Sequence, residues 1–183
     1  MTRFKAPTGD DLAAIRDQFV ANAAAQSISS DCENTVNSGS ISLSNIYEYA
    51  KGEISYPDQK IETALKKTPG LRTAYRRMTV GVSNYTFQRA IAASEGDLPT
   101  RVTVGAEITF LNSSAHQDRI YVIIKLTTVK DPVPGALIVF DTDDQSVRID
   151  LPPPQDGIIQ LLVARNSDII TALKNPDTSV LLT

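Results

Sequence analysis

Apolar residues recur every three to four positions through the first half of the chain and every second position through the rest. That change of period predicts a helical part followed by a β-rich part. In residues 8–26, Leu12, Ile15, Phe19, Val20 and Ala23 form the stripe of an amphipathic helix. Thr8 or Gly9 stands at its cap, and Asp10 and Asp11 favour the positive end of the helix dipole. Residues 27–42, SISSDCENTVNSGSIS, are polar and turn-forming and read as a linker that makes the first helix separable. A short helix follows with Ile46, Tyr47 and Ala50, capped by Ser42 or Ser44 and ended by Gly52. Ser55-x-x-Asp58 resembles a capping box, with Pro57 in the first turn, and opens a helix carrying Ile61, Ala64 and Leu65. Pro69-Gly70 breaks it. Leu71, Tyr75 and Met78 start another helix, whose pattern runs on through Tyr85, Phe87 and Ile91 to Ala93, although Thr79, Val80, Gly81 and Val82 weaken its middle.

Residues 94–99, SEGDLP, form the expected boundary. Beyond it Val102, Val104, Ala106, Ile108 and Phe110 alternate with polar residues as a half-buried strand does. Residues 112–118 read as a turn, 120–129 and 136–140 as strands, and 141–145 (DTDDQ) as a hairpin-like turn into Val147, Ile149 and Leu151. A strand over 157–164, a short helix over 167–174 capped by Asn166 or Ser167, and a strand over 179–182 complete the pattern. The expected fold class is α+β. A small helical domain over residues 1–98 precedes a mainly antiparallel β-sandwich or barrel-like module over 99–183, with about six strands and one short helix.

Composition narrows the function classes. With 42% hydrophobic and 21% charged residues the chain is ordinary for a globular protein, and a net charge of −3 excludes a generally basic nucleic-acid binder. No direct nucleic-acid partner is therefore expected. Cys32 is the single cysteine, so no intramolecular disulfide and no thiolate cluster can form. No apolar window reaches membrane-spanning length and MTRFKAPTGDD has no apolar signal core, which leads to the expectation of a cytoplasmic protein without a membrane partner.

Candidate chemistry is sparse. His116, the single histidine, lies in a polar turn with no second acid–base candidate beside it, and reads as a solvated turn residue. Acidic neighbours Asp31 and Glu33 disfavour a reactive thiolate at Cys32. Asp141, Asp143 and Asp144 lack the glycine and distal glutamate of a calcium loop and read as an aspartate-rich turn. Phosphate-binding, dinucleotide-binding, nucleophile-elbow and zinc-protease motifs are all missing. The expectation is a non-enzyme with no cofactor and no metal. One feature stands out: Lys60, Lys66, Lys67, Arg72, Arg76 and Arg77 face a single acid, Glu62, over residues 60–77. Such a cluster suits an acidic protein surface, and equally suits a solvated helix face.

The same stretch resembles a family. Tyr49-Ala50-Lys51-Gly52-Glu53-Ile54-Ser55 is similar to the Y-x-x-G-E-L-S phrase of zinc-binding anti-sigma factors. Residues 64–72, ALKKTPGLR, are similar to their H-L-x-x-C-P-x-C-R phrase. Ala64, Thr68 and Leu71 stand where that family carries its His and two Cys, so the resemblance implies a zinc-less helical domain with apolar packing in place of metal. It implies a non-enzymatic transcription regulator that sequesters an extracytoplasmic-function sigma factor. Leu12, Ile15 and Phe19 would supply apolar surface, and Lys66, Lys67, Arg72, Arg76 and Arg77 charge. The alternative is a structural, oligomerising or small-molecule-binding protein whose β-module carries the function. A polar linker over residues 27–42 also permits a swapped homo-oligomer.

Overall fold

The computed structural model describes residues 41–54, 56–87 and 98–183. The expected helix over residues 8–26 with Leu12, Ile15 and Phe19, residues 27–40 of the linker, and Cys32 lie outside the described residues. The chain divides into two compact units, Met1–Gly81 and Val82–Thr183.

In the first unit, α1 spans Leu43–Lys51. Ser42 rather than Ser44 caps it. Ser42 Oγ accepts the Asn45 N–H at 3.2 Å while Asn45 Oδ1 accepts the Ser42 N–H at 3.1 Å, a reciprocal box that satisfies two otherwise orphaned donors. Gly52 closes the helix in the left-handed region at φ 81°, so that its N–H reaches Tyr49 O and the Glu53 N–H reaches Glu48 O. For α2, Gln59–Lys67, the cap is Asp58, whose Oδ1 accepts the N–H groups of Lys60 and Ile61 at 2.9 and 3.0 Å. Pro57 therefore precedes the cap instead of lying in the first turn.

Thr68 serves two helices at once. Its N–H closes α2 onto Ala64 O, and its carbonyl accepts from Leu71 and Arg72 in the first turn of α3, Pro69–Val82. Pro69 thus lies in the first turn of its helix, where its missing N–H costs nothing. Ile46, Tyr49 and Ala50 from α1, Ile61 and Leu65 from α2, and Ala74, Tyr75 and Met78 from α3 are buried. Their spacings of three and four keep each set on one helix face.

The helix expected to run on to Ala93 stops at Val82. Asn84 N–H donates to Leu182 O, and Tyr85–Phe87 is a strand, β1, with Tyr85 and Phe87 buried and Thr86 exposed. Low helix propensity at Gly81 and the β-branched Thr79, Val80 and Val82 lets the period-two pattern win. Because β1 is hydrogen-bonded into the second unit, the division between units falls before it; residues 88–97 lie outside the described residues.

The second unit holds β1, β2 (Arg101–Thr103), β3 (Ala106–Asn112), β4 (Arg119–Leu126), β5 (Ala136–Phe140), β6 (Ser146–Asp150), β7 (Ile158–Ala164), α4 (Asp168–Lys174) and β8 (Ser179–Leu182). Two four-stranded antiparallel sheets result, in the orders β1-β8-β5-β6 and β2-β3-β4-β7. The architecture is α+β, helices first and antiparallel sheets after. The single strand expected from Val102 to Phe110 is instead a hairpin turning at Gly105, φ +89°, where a Cβ would lie 3.2 Å from Tyr85 Cε1 and 3.3 Å from Thr128 Cβ. Alternate residues of β4 (Ile120, Val122, Ile124, Leu126) point inward and meet Tyr85, Phe87, Leu137, Val139, Val180 and Leu182 of the other sheet in one core. Ile169, Ile170 and Leu173 of α4 join them. Each such side chain withdrawn from water contributes about 1.5–3 kcal/mol.

Arg101 is the exception in this apolar interior. Fully buried at the start of β2, its Nη1 donates to Thr178 O at 3.0 Å, and its Nη2 to Leu173 O, Asn175 O and Thr178 Oγ1 at 3.1, 2.7 and 2.8 Å. Those carbonyls lie at and just beyond the C-terminus of α4, where partial negative charge answers the guanidinium without a carboxylate. Burial pushes its pKa down from the usual arginine range.

Candidate partner-binding site

The short helices of the first unit are tied together by a phenol. Tyr49 is fully buried, and its hydroxyl donates to Glu62 Oε1 at 2.5 Å, joining the last turns of α1 to the first turn of α2. Its ring lies 5.6 Å from that of Tyr75 in α3 and 6.2 Å from that of Tyr56 in the intervening loop, both tilted. Tilted aromatic pairs at such separations add stability beyond the area they bury. Burial raises the Tyr49 pKa well above the ordinary phenol value of 10.0, and the hydrogen bond to Glu62 and its negative charge act in the same direction. The tyrosine of the family-like phrase is therefore the keystone of this unit. The sequence marked Tyr49 only through that phrase, and marked Glu62 only as the single acid of the basic cluster, not as the partner of Tyr49.

The Thr68 junction sets the basic residues. Lys66 and Lys67 project exposed from the last turn of α2. Arg72, one turn into α3, folds back so that its Nη1 donates to the carbonyls of Leu65 and Lys66, both at 3.3 Å. Those carbonyls are among the α2 acceptors left without an intrahelical donor, and the positive charge meets the negative end of the dipole. Arg72 thus acts first as a cap. Lys66, Lys67 and Arg72 share the end of α2, whereas Arg76, half-buried, and Arg77, exposed, stand at least one turn further along α3.

The backbone links Ala64, Thr68 and Leu71 through this junction: Thr68 N–H bonds Ala64 O at 2.9 Å, and Leu71 N–H bonds Thr68 O at 3.1 Å. All three are half-buried, and none offers a nitrogen or sulfur donor that zinc would accept from its side chain. The residues at these positions do not fit a zinc ion. Among the described residues there is no group of three or more His, Cys, Asp or Glu that could hold a metal.

His116 is exposed, and its described hydrogen bonds run through its backbone, the N–H to Ser113 Oγ and the carbonyl from Arg119. Asp141 organises its own turn: Oδ1 accepts the N–H groups of Asp143 and Gln145 at 2.9 and 2.8 Å. Among the described residues no helix is long and apolar enough to cross a membrane. Compared with known proteins, the chain matches no family model, no curated protein and no solved structure.

Proposed function

We propose that the protein is a non-enzymatic regulator whose helical unit binds and sequesters a sigma factor of the extracytoplasmic-function class, in a form that needs no zinc. The observation that supports this reading is the α2–α3 junction at Thr68, where the backbone links Ala64, Thr68 and Leu71 in sequence beside Lys66, Lys67 and the cap made by Arg72. The spacing that would gather zinc ligands in the family is kept here with apolar and hydroxyl side chains, and the Tyr49–Glu62 bond supplies a tie between helices. Exposed cations next to this junction suit an acidic surface on the partner. The test is titration of the purified full chain with the sigma factors of its host, followed by calorimetry. A one-to-one complex weakened about tenfold by Lys66→Glu with Lys67→Glu is expected; absence of any complex would overturn the reading.

A second reading, self-association through the β-unit, is favoured by one feature. Leu111 and Leu162, 58% and 37% exposed, flank Tyr121 in register across β3, β4 and β7 and form an apolar row on the outer face of that sheet. A concentration-independent monomer mass by light scattering would dismiss it.

A further inference from the structure

The β-unit contains a recess at the end of the β2-β3-β4-β7 sheet. It encloses about 300 Å³, at the small end of ligand pockets, where β3 ends, β4 begins, and β7 and α4 finish. Leu98, Phe110 and Ile120 line it from the core side: Leu98 and Phe110 are half-buried and pack against the core, and Ile120 belongs to it. Its polar edge carries Asn112, Arg165 and Lys174, with the Thr100 hydroxyl beside them. Among the described residues, two cations and no carboxylate line the recess.

Arg165 is held in place. Its Nη2 donates to Asn112 Oδ1 at 2.8 Å and its Nε to Gln117 O at 3.4 Å, while its own backbone N–H is fixed on Asp118 O at 2.8 Å. A guanidinium has five N–H donors, so two of them orient it and the rest of the fork remains for an acceptor. At the end of α4, the carbonyls of Leu173 and Asn175 are already occupied by Arg101. Lys174 therefore stands beside a helix terminus whose negative charge is largely answered.

We propose that this recess binds a small organic carboxylate, with the anionic head between Arg165 and Lys174 and a short apolar body against Leu98, Phe110 and Ile120. A preoriented fork beside a second cation suits an oxyanion, carboxylate or phosphate alike. The apolar wall separates such a ligand from bare phosphate, and the small volume excludes a large one. The site lies wholly within the β-unit and does not depend on the sigma-factor reading.

The experiment is amide NMR of the isotope-labelled full chain titrated with hexanoate, 1-hexanol and inorganic phosphate. Hexanoate is expected to shift the Asn112, Arg165 and Lys174 amides saturably, with an apparent affinity at least about tenfold above those of hexanol and phosphate. Arg165→Ala and Lys174→Ala should each lower it by about the same factor. Lys174→Ala makes the test safe against misfolding, because Lys174 is exposed and makes no hydrogen bond on which the sheet depends. Equal binding of hexanol, equal binding of phosphate, hexanoate shifts unchanged by Lys174→Ala, or no saturable shift at all would each overturn the proposal.

Discussion

Arg101 Nη2 and the Thr178 hydroxyl oxygen lie 2.8 Å apart, joining the first residue of β2 to the connection between α4 and β8. Around this bond the guanidinium also holds the carbonyls of Leu173, Asn175 and Thr178. Arg101→Met keeps much of the volume but leaves several buried acceptors without a donor, and should destabilise the β-unit by about 2–4 kcal/mol. Arg101→Lys, a point charge in place of a fork, should fall between the two. Urea unfolding followed by near-ultraviolet tyrosine signals measures both.

Tyr49→Phe removes only the hydroxyl that reaches Glu62, and is expected to cost about 1–2 kcal/mol in the helical unit. The phenol also gives a pH dependence with a definite sign. Its folded pKa is raised above 10.0, so between that value and the folded pKa the unfolded chain releases a proton that the folded chain keeps. The stabilisation is full below about pH 10 and declines as pH rises further. Thermal melts from pH 8 to 11.5 should show this decline in the parent protein and a shallower one in Tyr49→Phe.

Arg72 and the two lysines should separate cleanly. Arg72→Ala uncaps the end of α2 and is expected to lower stability by about 1 kcal/mol. Lys66→Ala with Lys67→Ala changes exposed side chains only, and should move stability by less than about 0.5 kcal/mol. If the lysines serve docking, the double variant loses partner affinity and its salt dependence while its melting curve stays in place.

Much of the fold was legible because the local rules agree with the tertiary outcome. A β-branched run marked β4, a short apolar run marked β8, and Gly52 marked the end of α1. The failures share a cause. Over Tyr85–Phe87 the chain carries apolar residues that fit either period, and pairing with β8 decided for strand. Alternation hid the Gly105 turn, since a tight hairpin need not interrupt the pattern of apolar and polar residues. The site was less legible still. Arg101 at the head of a strand reads as a surface residue, because its counter-charges come from backbone carbonyls more than seventy positions away. Arg72 reads in sequence as a docking charge, and its capping bonds to Leu65 and Lys66 depend on the turn at Thr68.

Gly105→Ala tests the unexpected hairpin. The new methyl would meet Tyr85 and Thr128 at 3.2 and 3.3 Å in a backbone conformation that disfavours L side chains. A loss of about 1–3 kcal/mol is expected, read as a lower urea midpoint with an unchanged slope.

The pairing of β1 with β8 has a consequence for how the β-unit comes into being. Tyr85 sits opposite Leu182, and β8 also pairs with β5, so the last of the described strands lies inside its sheet rather than at the edge. During synthesis β1 must wait, unpaired, until nearly the whole unit has left the ribosome. Contacts of such long sequence separation make for slow closure. The unit is then assembled late and all at once, and a chain stalled short of Ser179 would offer β1 and β5 as open templates for chaperones or for one another.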